Sequence, residues 1–145
     1  MSELDQLFEK IAAGEIPSFK IYEDDTIFAF LDINPASRGH TLIVPKVRYQ
    51  FVHELPEDVA AAIGRVLPRL AGAVMRVVGA NDYNILSNNG APAGQVIPHV
   101  HFHIIPKFPK DTPGGTGLQH TWSHSPIDES DAKQIAADVR KEMER

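Results

Sequence analysis

The heptapeptide HVHFHII, from His99 to Ile105, contains three histidines two residues apart, with apolar residues between and after them. Successive side chains of a β-strand point to opposite faces, so a strand here would carry all three histidines on one face. Val100, Phe102 and Ile104 would then face the core. The pattern predicts a strand that presents a row of imidazoles, side chains whose charge changes near neutral pH.

The composition is that of an ordinary globular chain. Of 145 residues, 43% are hydrophobic and 23% charged, which suits one compact domain. The net charge is −5 and no basic stripe is present, so polymeric nucleic acid is disfavoured as a partner. No apolar run could span a bilayer and the N-terminus does not resemble a secretory signal, so we expect a cytoplasmic protein without a membrane partner. The absence of cysteine excludes disulfides and thiolate chemistry.

The first third of the chain predicts a short helix and three strands. Apolar residues at helical spacing predict a helix near 4–13, which Gly14 ends. Strands are predicted at 20–23 and 26–31, and a third from His40 to Val44. Short connections between such strands favour antiparallel pairing.

A long amphipathic helix is predicted to begin at Pro56 and to end at 79–81. Pro68 lies inside its apolar stripe, and because the periodicity continues across it we expect one kinked helix. A strand near 83–87 and a loop at 88–94 follow.

The histidine strand is expected to end at Pro106, ahead of an irregular segment and a last helix at about 128–143. The predicted fold class is therefore α+β: an antiparallel sheet of about five strands with the long kinked helix on one face. Residues 1–106 would form the core, and residues 107–145 a tail and C-terminal helix of the same domain.

The three histidines have three interpretations. They could bind zinc, although no Asp, Glu or Cys follows at ligand spacing and a distant carboxylate would have to complete the set. They could be structural, but each would then need its own buried partner. They could perform phosphoryl chemistry, in which a neutral imidazole attacks phosphorus, its neighbours hold phosphate oxygens, and backbone N–H groups of loop 90–94 assist. We favour the third.

Four further stretches surround the histidines: GEIP at 14–17, FLDINP at 30–35, GHTLIVPK at 39–46 and GQVIPH at 94–99. With the histidines, they resemble the histidine triad (HIT) family of nucleotide hydrolases and transferases, and a bacterial nucleoside phosphoramidase-like member in particular. The resemblance extends to about Pro106. It implies a HIT-like fold and a homodimer without a cofactor. Its substrate would be a purine nucleotide, a phosphoramidate or a (di)nucleoside polyphosphate, cleaved to a nucleoside 5′-monophosphate such as AMP through a nucleotidyl-histidine intermediate.

The resemblance also implies roles for single residues. His101 would attack the α-phosphorus, His99 would orient it through a backbone carbonyl, and His103 would donate to a phosphate oxygen. His40 would support the triad from the neighbouring strand, and Asp32 would accept hydrogen bonds from the ribose hydroxyls.

Other residues would bind the substrate. Asn88 would contact the ribose and phosphate, beside Gly94 in the loop. An apolar slot for the base would be formed by six residues that would suit core packing equally well: Leu7, Phe8, Ile11, Phe30, Ile33 and Leu42.

The chain departs from the family pattern in places. Val96 stands where the phosphoramidase branch has a serine that serves the leaving group, and valine has no hydroxyl, so Gln95 would act in its place. Many bacterial relatives hold a structural zinc through a Cys-x-x-Cys and a histidine, at positions that are Gln6, Glu9 and Arg48 here. We therefore predict no metal.

Two alternatives remain. The chain could be a nucleotide-binding regulatory or scaffold protein with little catalysis, or a metal-binding module. His53, His120 and His124 are expected at the surface. A lone tryptophan in an irregular segment, as Trp122 is, usually caps a core or an interface, and one candidate place for it is the substrate entrance.

Overall fold

The computed structural model describes residues 3–109 and 125–144. Five antiparallel strands form one sheet in the order β1-β2-β3-β5-β4. In chain order the elements are α1 (Glu3–Ala12), β1 (Lys20–Glu23), β2 (Ile27–Leu31), β3 (Thr41–Pro45), α2 (Glu57–Val78), β4 (Asp82–Leu86), β5 (Phe102–Lys107) and α3 (Glu129–Met143). Short 3₁₀ turns lie at Val52–Glu54 and Ala91–Ala93. The predicted α+β class with a five-stranded antiparallel sheet is confirmed.

The sheet has a different apolar layer on each face, and β2 contributes to both. Ile27, Ala29 and Leu31 belong to a large core that includes α2 and α3. The alternate residues, Phe28 and Phe30, belong to a smaller core with α1. This alternation follows from the two-residue period of a strand. The smaller core, on the α1 face, is the one that meets the histidines.

The long helix α2 runs without interruption through Pro68, so one helix was the right prediction; the kink stays a prediction. Pro56 precedes its first residue, and Gly79 ends it with φ 74°, a left-handed conformation that lets its N–H bond the carbonyl of Met75. None of the described helices is long and apolar enough to cross a membrane.

The predicted histidine strand is wrong at both ends. β5 begins at Phe102, because β3 and β4 pair only with residues 102–107 and leave nothing beside His99. The backbone there bonds elsewhere, since the N–H of Val100 donates to the carbonyl of Tyr49 at 2.6 Å. The strand also continues through Pro106 to Lys107. Proline has no backbone N–H, but Pro106 pairs with β4 alone, so no hydrogen bond to β3 is lost.

Helix α3 matches its prediction. The Asp128 carboxylate caps it by accepting the N–H of Asp131 at 3.0 Å, and Ala132, Ile135 and Val139 are buried. The predicted irregular segment lies largely outside the described residues, as do His120, Trp122 and His124.

Candidate active site

A cavity of about 680 Å³ opens on the α1 face of the sheet, a volume that suits a mononucleotide. Its wall comes from α1, the end of β2, the loop before the histidines, and β5. Eleven of the fourteen predicted site residues line it: Leu7, Phe8, Ile11, Phe30, Asp32, Ile33, Leu42, Asn88, Gly94, His101 and His103. The fold therefore brings together residues that are nearly one hundred positions apart in the chain.

The apolar part of the cavity is built by α1 and β2. Leu7, Phe8 and Ile11 are three or four residues apart, so one face of the helix presents all three. The ring of Phe8 packs edge-on against Phe30, with centroids 5.7 Å apart, and against His101 at 5.1 Å. An apolar slot thus lies directly beside an imidazole, as a base next to a phosphate would require.

His101 is held in one tautomer by the backbone. Its Nδ1 lies 2.8 Å from the carbonyl oxygen of His99, and a carbonyl can only accept, so Nδ1 carries the proton. The lone pair of the neutral ring is then on Nε2. Burial lowers the pKa of His101, so the ring is neutral at pH 7. A neutral imidazole with a lone pair on Nε2 is a competent nucleophile.

His103 is held in the other tautomer, with its proton on Nε2. The N–H of Ala36 donates to Nδ1 of His40 at 2.9 Å, so the proton of the neutral His40 ring is on Nε2. This Nε2 lies 2.9 Å from Nδ1 of His103 and donates to it. The proton of His103 is therefore on Nε2, and because burial lowers the pKa of His103 to about 3, the ring is a neutral donor.

His99 does not line the cavity. It is fully buried, and its Nε2 donates to the carbonyl of Pro45 at 2.7 Å. Its Nδ1 is buried without a hydrogen-bond partner among the described residues, and burial lowers the pKa of His99 to about 4. The side chain is therefore structural, whereas its carbonyl orients His101.

Asp32 directly follows β2 and lines the cavity together with His101 and His103. One carboxylate oxygen accepts the N–H of Asn34 at 2.8 Å, and the other is 3.7 Å from Nε2 of His40. With 19% of its side chain exposed, Asp32 can still accept hydrogen bonds from a ligand. The carboxylate is therefore held beside the cavity by a backbone hydrogen bond and stays partly open to a ligand.

Gln95 lies apart from the cavity, contrary to expectation. Its Oε1 accepts the N–H of Gly90 at 2.8 Å, and its Nε2 donates to the carbonyl of Gln50 at 2.9 Å. Both ends of the amide are engaged with backbone, so the structure gives no support to a role at the leaving group. Val96 lines the cavity instead and is 74% exposed.

One group of three metal-ligating side chains occurs within residues 3–109 and 125–144: Asp32, His40 and His103, with ligand atoms within 4.8 Å of one another. A ligating nitrogen must present a lone pair. Nε2 of His40 instead carries the proton that it donates to His103, so these hydrogen bonds disfavour a metal ion in this tautomeric arrangement.

The structural zinc site of many bacterial relatives does not fit this chain either. At the position of one ligand, the Arg48 guanidinium has donors only, and its Nε donates to the carbonyl of Pro98 at 2.9 Å. Gln6 and Glu9 stand at the cysteine positions.

Several lining residues were missed by the sequence reasoning. Ile16, Pro17 and Ser18 follow α1, Asn34 follows Asp32, and Ile97 precedes the histidines. All except Ser18 fall inside the motifs quoted above, so those motifs were the available signal. The N–H of Ala36, which fixes the tautomer of His40, could not be predicted from the sequence, because a backbone N–H is not specific to a residue type.

The chain is similar to a family model, to curated proteins and to solved structures. The HIT domain family model matches residues 13–110. An adenylylsulfatase of Arabidopsis thaliana is 40% identical over 139 residues, covering 96% of this chain and 70% of that protein. An adenosine 5′-monophosphoramidase of Schizosaccharomyces pombe is 39% identical over 137 residues, covering 94% of this chain and 97% of that protein. The crystal structure of a hypothetical histidine triad nucleotide-binding protein of Sulfolobus tokodaii has a TM-score of 0.83 at 30% identity, covering 95% and 91% of the two chains. The chain belongs to the HIT domain family.

Proposed function

We propose that this protein is a nucleotide hydrolase that releases a nucleoside 5′-monophosphate, AMP in the first instance, through a covalent intermediate on His101. The observation that carries the proposal is the pair of fixed tautomers at the cavity floor. His101 presents a lone pair on Nε2, and His103 carries a proton on Nε2. A nucleophile and a hydrogen-bond donor, side by side, are what nucleotidyl transfer requires.

The steps follow from these two rings. The Nε2 lone pair of His101 forms a bond to the α-phosphorus, and the bond from phosphorus to the leaving group breaks with its electrons going to that group. The imidazolium so formed keeps its Nδ1–H on the His99 carbonyl, which offsets the new positive charge. The Nε2–H of His103 donates to a non-bridging oxygen throughout. Water then attacks phosphorus, loses its proton to solvent, and returns the electron pair to Nε2.

The identity of the leaving group separates three candidate substrate classes. The two curated relatives are named for adenylyl sulfate and for an adenosine phosphoramidate, so sulfate and an amine are both candidates. A purine in the apolar slot, next to Phe8 and Phe30, would place its ribose toward Asp32. A dinucleoside polyphosphate is the third substrate class to test.

The test is an assay of the three substrate classes, with His101→Ala beside the parent and His53→Ala as a matched control on an exposed histidine. Hydrolysis should fall at least about 1,000-fold in His101→Ala, as when a nucleophile is lost, and stay at the parental rate in His53→Ala. Mass spectrometry of rapidly quenched parent should detect a nucleotidyl group on His101. Parental activity in His101→Ala would refute the nucleophile. Tight AMP binding without hydrolysis by the parent would favour the scaffold function.

We also propose a homodimer, formed by edge-to-edge pairing of β4. This strand ends the sheet and exposes apolar residues, with Tyr83 43% and Ile85 41% exposed. An exposed apolar edge strand is a template for pairing, and a second copy offers the same strand in antiparallel orientation. Light scattering should give twice the mass of one chain for the parent and the mass of one chain for Ile85→Lys. A monomeric parent would refute the proposed homodimer. A cytoplasmic location stays a prediction.

A further inference from the structure

Arg48 connects two parts of the cavity wall. It follows β3, and its side chain is 28% exposed. Its Nε donates to the carbonyl of Pro98 at 2.9 Å, directly before His99. Its terminal NH2 lies 3.9 Å from the carboxylate of Asp5, in the first turn of α1. One guanidinium therefore contacts both the helix that forms the apolar slot and the segment that leads into the triad.

The helical end of this connection matters for the slot. Asp5 precedes Phe8 by three residues, so the two lie on neighbouring parts of one helix face. Phe8 and Ile11 are the buried residues of α1, and both lie C-terminal to Asp5. Leu4, the apolar residue of the first turn, is 47% exposed, so the ion pair with Arg48 adds a restraint where little apolar surface is buried. Movement of that turn would move Leu7 and Phe8, and with them the wall of the slot.

The other end of the connection matters for the nucleophile. Pro98 precedes His99, whose carbonyl holds Nδ1 of His101 at 2.8 Å. This segment lies outside the sheet ladders, since β5 begins only at Phe102. The hydrogen bond from Arg48 therefore supplies a restraint that strand pairing does not. Phe8 links the helix directly to the triad, because its ring packs against those of His99 and His101, with ring centroids 5.5 and 5.1 Å away.

We infer that Arg48 is a positioning residue that couples the α1 wall of the nucleotide cavity to the triad. A cation with several N–H donors in a fixed fork can do this, whereas a single-headed lysine cannot reach both partners in the same way. The inference rests on the proposed function, because it assigns Arg48 to that same cavity.

The two ends can be separated by mutation. Asp5→Ala removes the helical end and leaves the hydrogen bond from Arg48 to Pro98, and it should raise KM for the nucleotide by about two- to fivefold, as expected for a partly exposed ion pair, with kcat unchanged. Asp5→Glu should restore the parental KM. Arg48→Ala removes both ends and should raise KM and also lower kcat, by at least about tenfold in kcat/KM, since a charge-assisted hydrogen bond is lost.

Two controls match these changes. Glu3→Ala removes another first-turn carboxylate, and with it the same favourable interaction with the helix dipole, at an exposed position. Arg76→Ala breaks an exposed arginine–glutamate pair between α2 and α3, with Nε and Oε2 3.0 Å apart, on the other face of the sheet. Both should leave kcat and KM within twofold of the parent.

Amide hydrogen exchange of residues 7–12 provides a readout that needs no activity. Exchange there should be faster in Asp5→Ala and Arg48→Ala than in the parent and both controls. Unchanged exchange would overturn the inference whatever the kinetics, and so would faster exchange with an unchanged KM. If the parent hydrolyses nothing, the proposed enzymatic function has failed. The Kd for AMP then replaces KM, and equal Kd values for the parent and Asp5→Ala, or no AMP binding by the parent, overturn the inference as well.

Discussion

His40 and His103 share a hydrogen bond of 2.9 Å whose direction is set by the backbone. The N–H of Ala36 donates to Nδ1 of His40, so the proton of the His40 ring is on Nε2 and is donated to Nδ1 of His103. Since Nδ1 of His103 accepts this hydrogen bond, the ring proton of His103 is on its Nε2. His101, with its ring centroid only 4.9 Å from that of His103, is held by a carbonyl and has the opposite arrangement. Two adjacent imidazoles therefore carry their protons on different ring nitrogens, because different backbone groups hold them.

This relationship predicts the effect of replacing His40. His40→Leu removes the donor, so His103 can carry its proton on either nitrogen and the donor to phosphate is no longer fixed. We expect kcat to fall by roughly 100-fold, the usual loss when a donor to the transition state is removed. His40→Gln keeps an N–H and should retain most of kcat. Steady-state kinetics of both variants checks this, and equal losses would indicate that ring volume matters, not the donor.

The buried histidines predict a loss of stability in mild acid. Burial lowers the pKa of His99 to about 4 and that of His103 to about 3, from 6.5 in the unfolded chain. Between these values the unfolded chain binds more protons, so the free energy of unfolding is highest above pH 6.5 and falls as the pH falls. From pH 7 to pH 5 the loss should be about 2 kcal/mol for each histidine, or about 4 kcal/mol together.

Urea unfolding followed by circular dichroism at pH 7, 6 and 5 measures this loss. His103→Gln removes one of the buried histidines whose pKa is lowered and should show a weaker pH dependence than the parent, even if its stability at pH 7 differs from that of the parent. A pH-independent free energy of unfolding in the parent over this range would contradict the neutral, buried state of both rings.

Gly39 predicts a stability effect next to the site, because it precedes His40 with φ +93°. A Cβ at this position would lie 2.8 Å from Cγ1 of Val78 and 3.3 Å from Cγ of Pro106. Gly39→Ala should therefore lower the free energy of unfolding by about 3 kcal/mol, from backbone strain and overpacking together. Gly64→Ala is the matched control: nothing lies within 4 Å of its Cβ, and alanine suits a helix, so stability should rise slightly. Similar effects in both variants, measured by urea unfolding, would contradict this account.

The residues that could be predicted from the sequence are those set by local pattern. Leu7, Phe8 and Ile11 follow helical spacing, and the strand segments either alternate apolar and polar residues or are continuously apolar. The sheet and the apolar slot could therefore be predicted from the sequence. The wrong predictions, the role of Gln95 and the start of β5, depended on backbone groups that are distant in the sequence. The carbonyl of Gln50 holds the Gln95 amide away from the cavity, and missing strand partners stop β5 short of His101. Partners so far away in the chain leave no periodic signal.

Val96 predicts which leaving groups this cavity handles well. It lines the cavity with 74% of its surface exposed, and valine can donate no proton. An amine departing from phosphorus must gain a proton, whereas sulfate departs as a stable anion. We therefore expect the parent to prefer adenylyl sulfate to an adenosine phosphoramidate, as measured by kcat/KM on both substrates.

Val96→Ser supplies the missing hydroxyl. It should raise kcat/KM for the phosphoramidate by about tenfold, a modest share of the usual gain from general acid catalysis because the position is exposed. Adenylyl sulfate should stay within twofold of the parent, since its leaving group needs no proton. Val96→Ala removes the same bulk without adding a donor and should improve neither substrate. If serine and alanine change the phosphoramidate rate equally, the space at position 96 controls the reaction, and the proton for the amine comes from elsewhere.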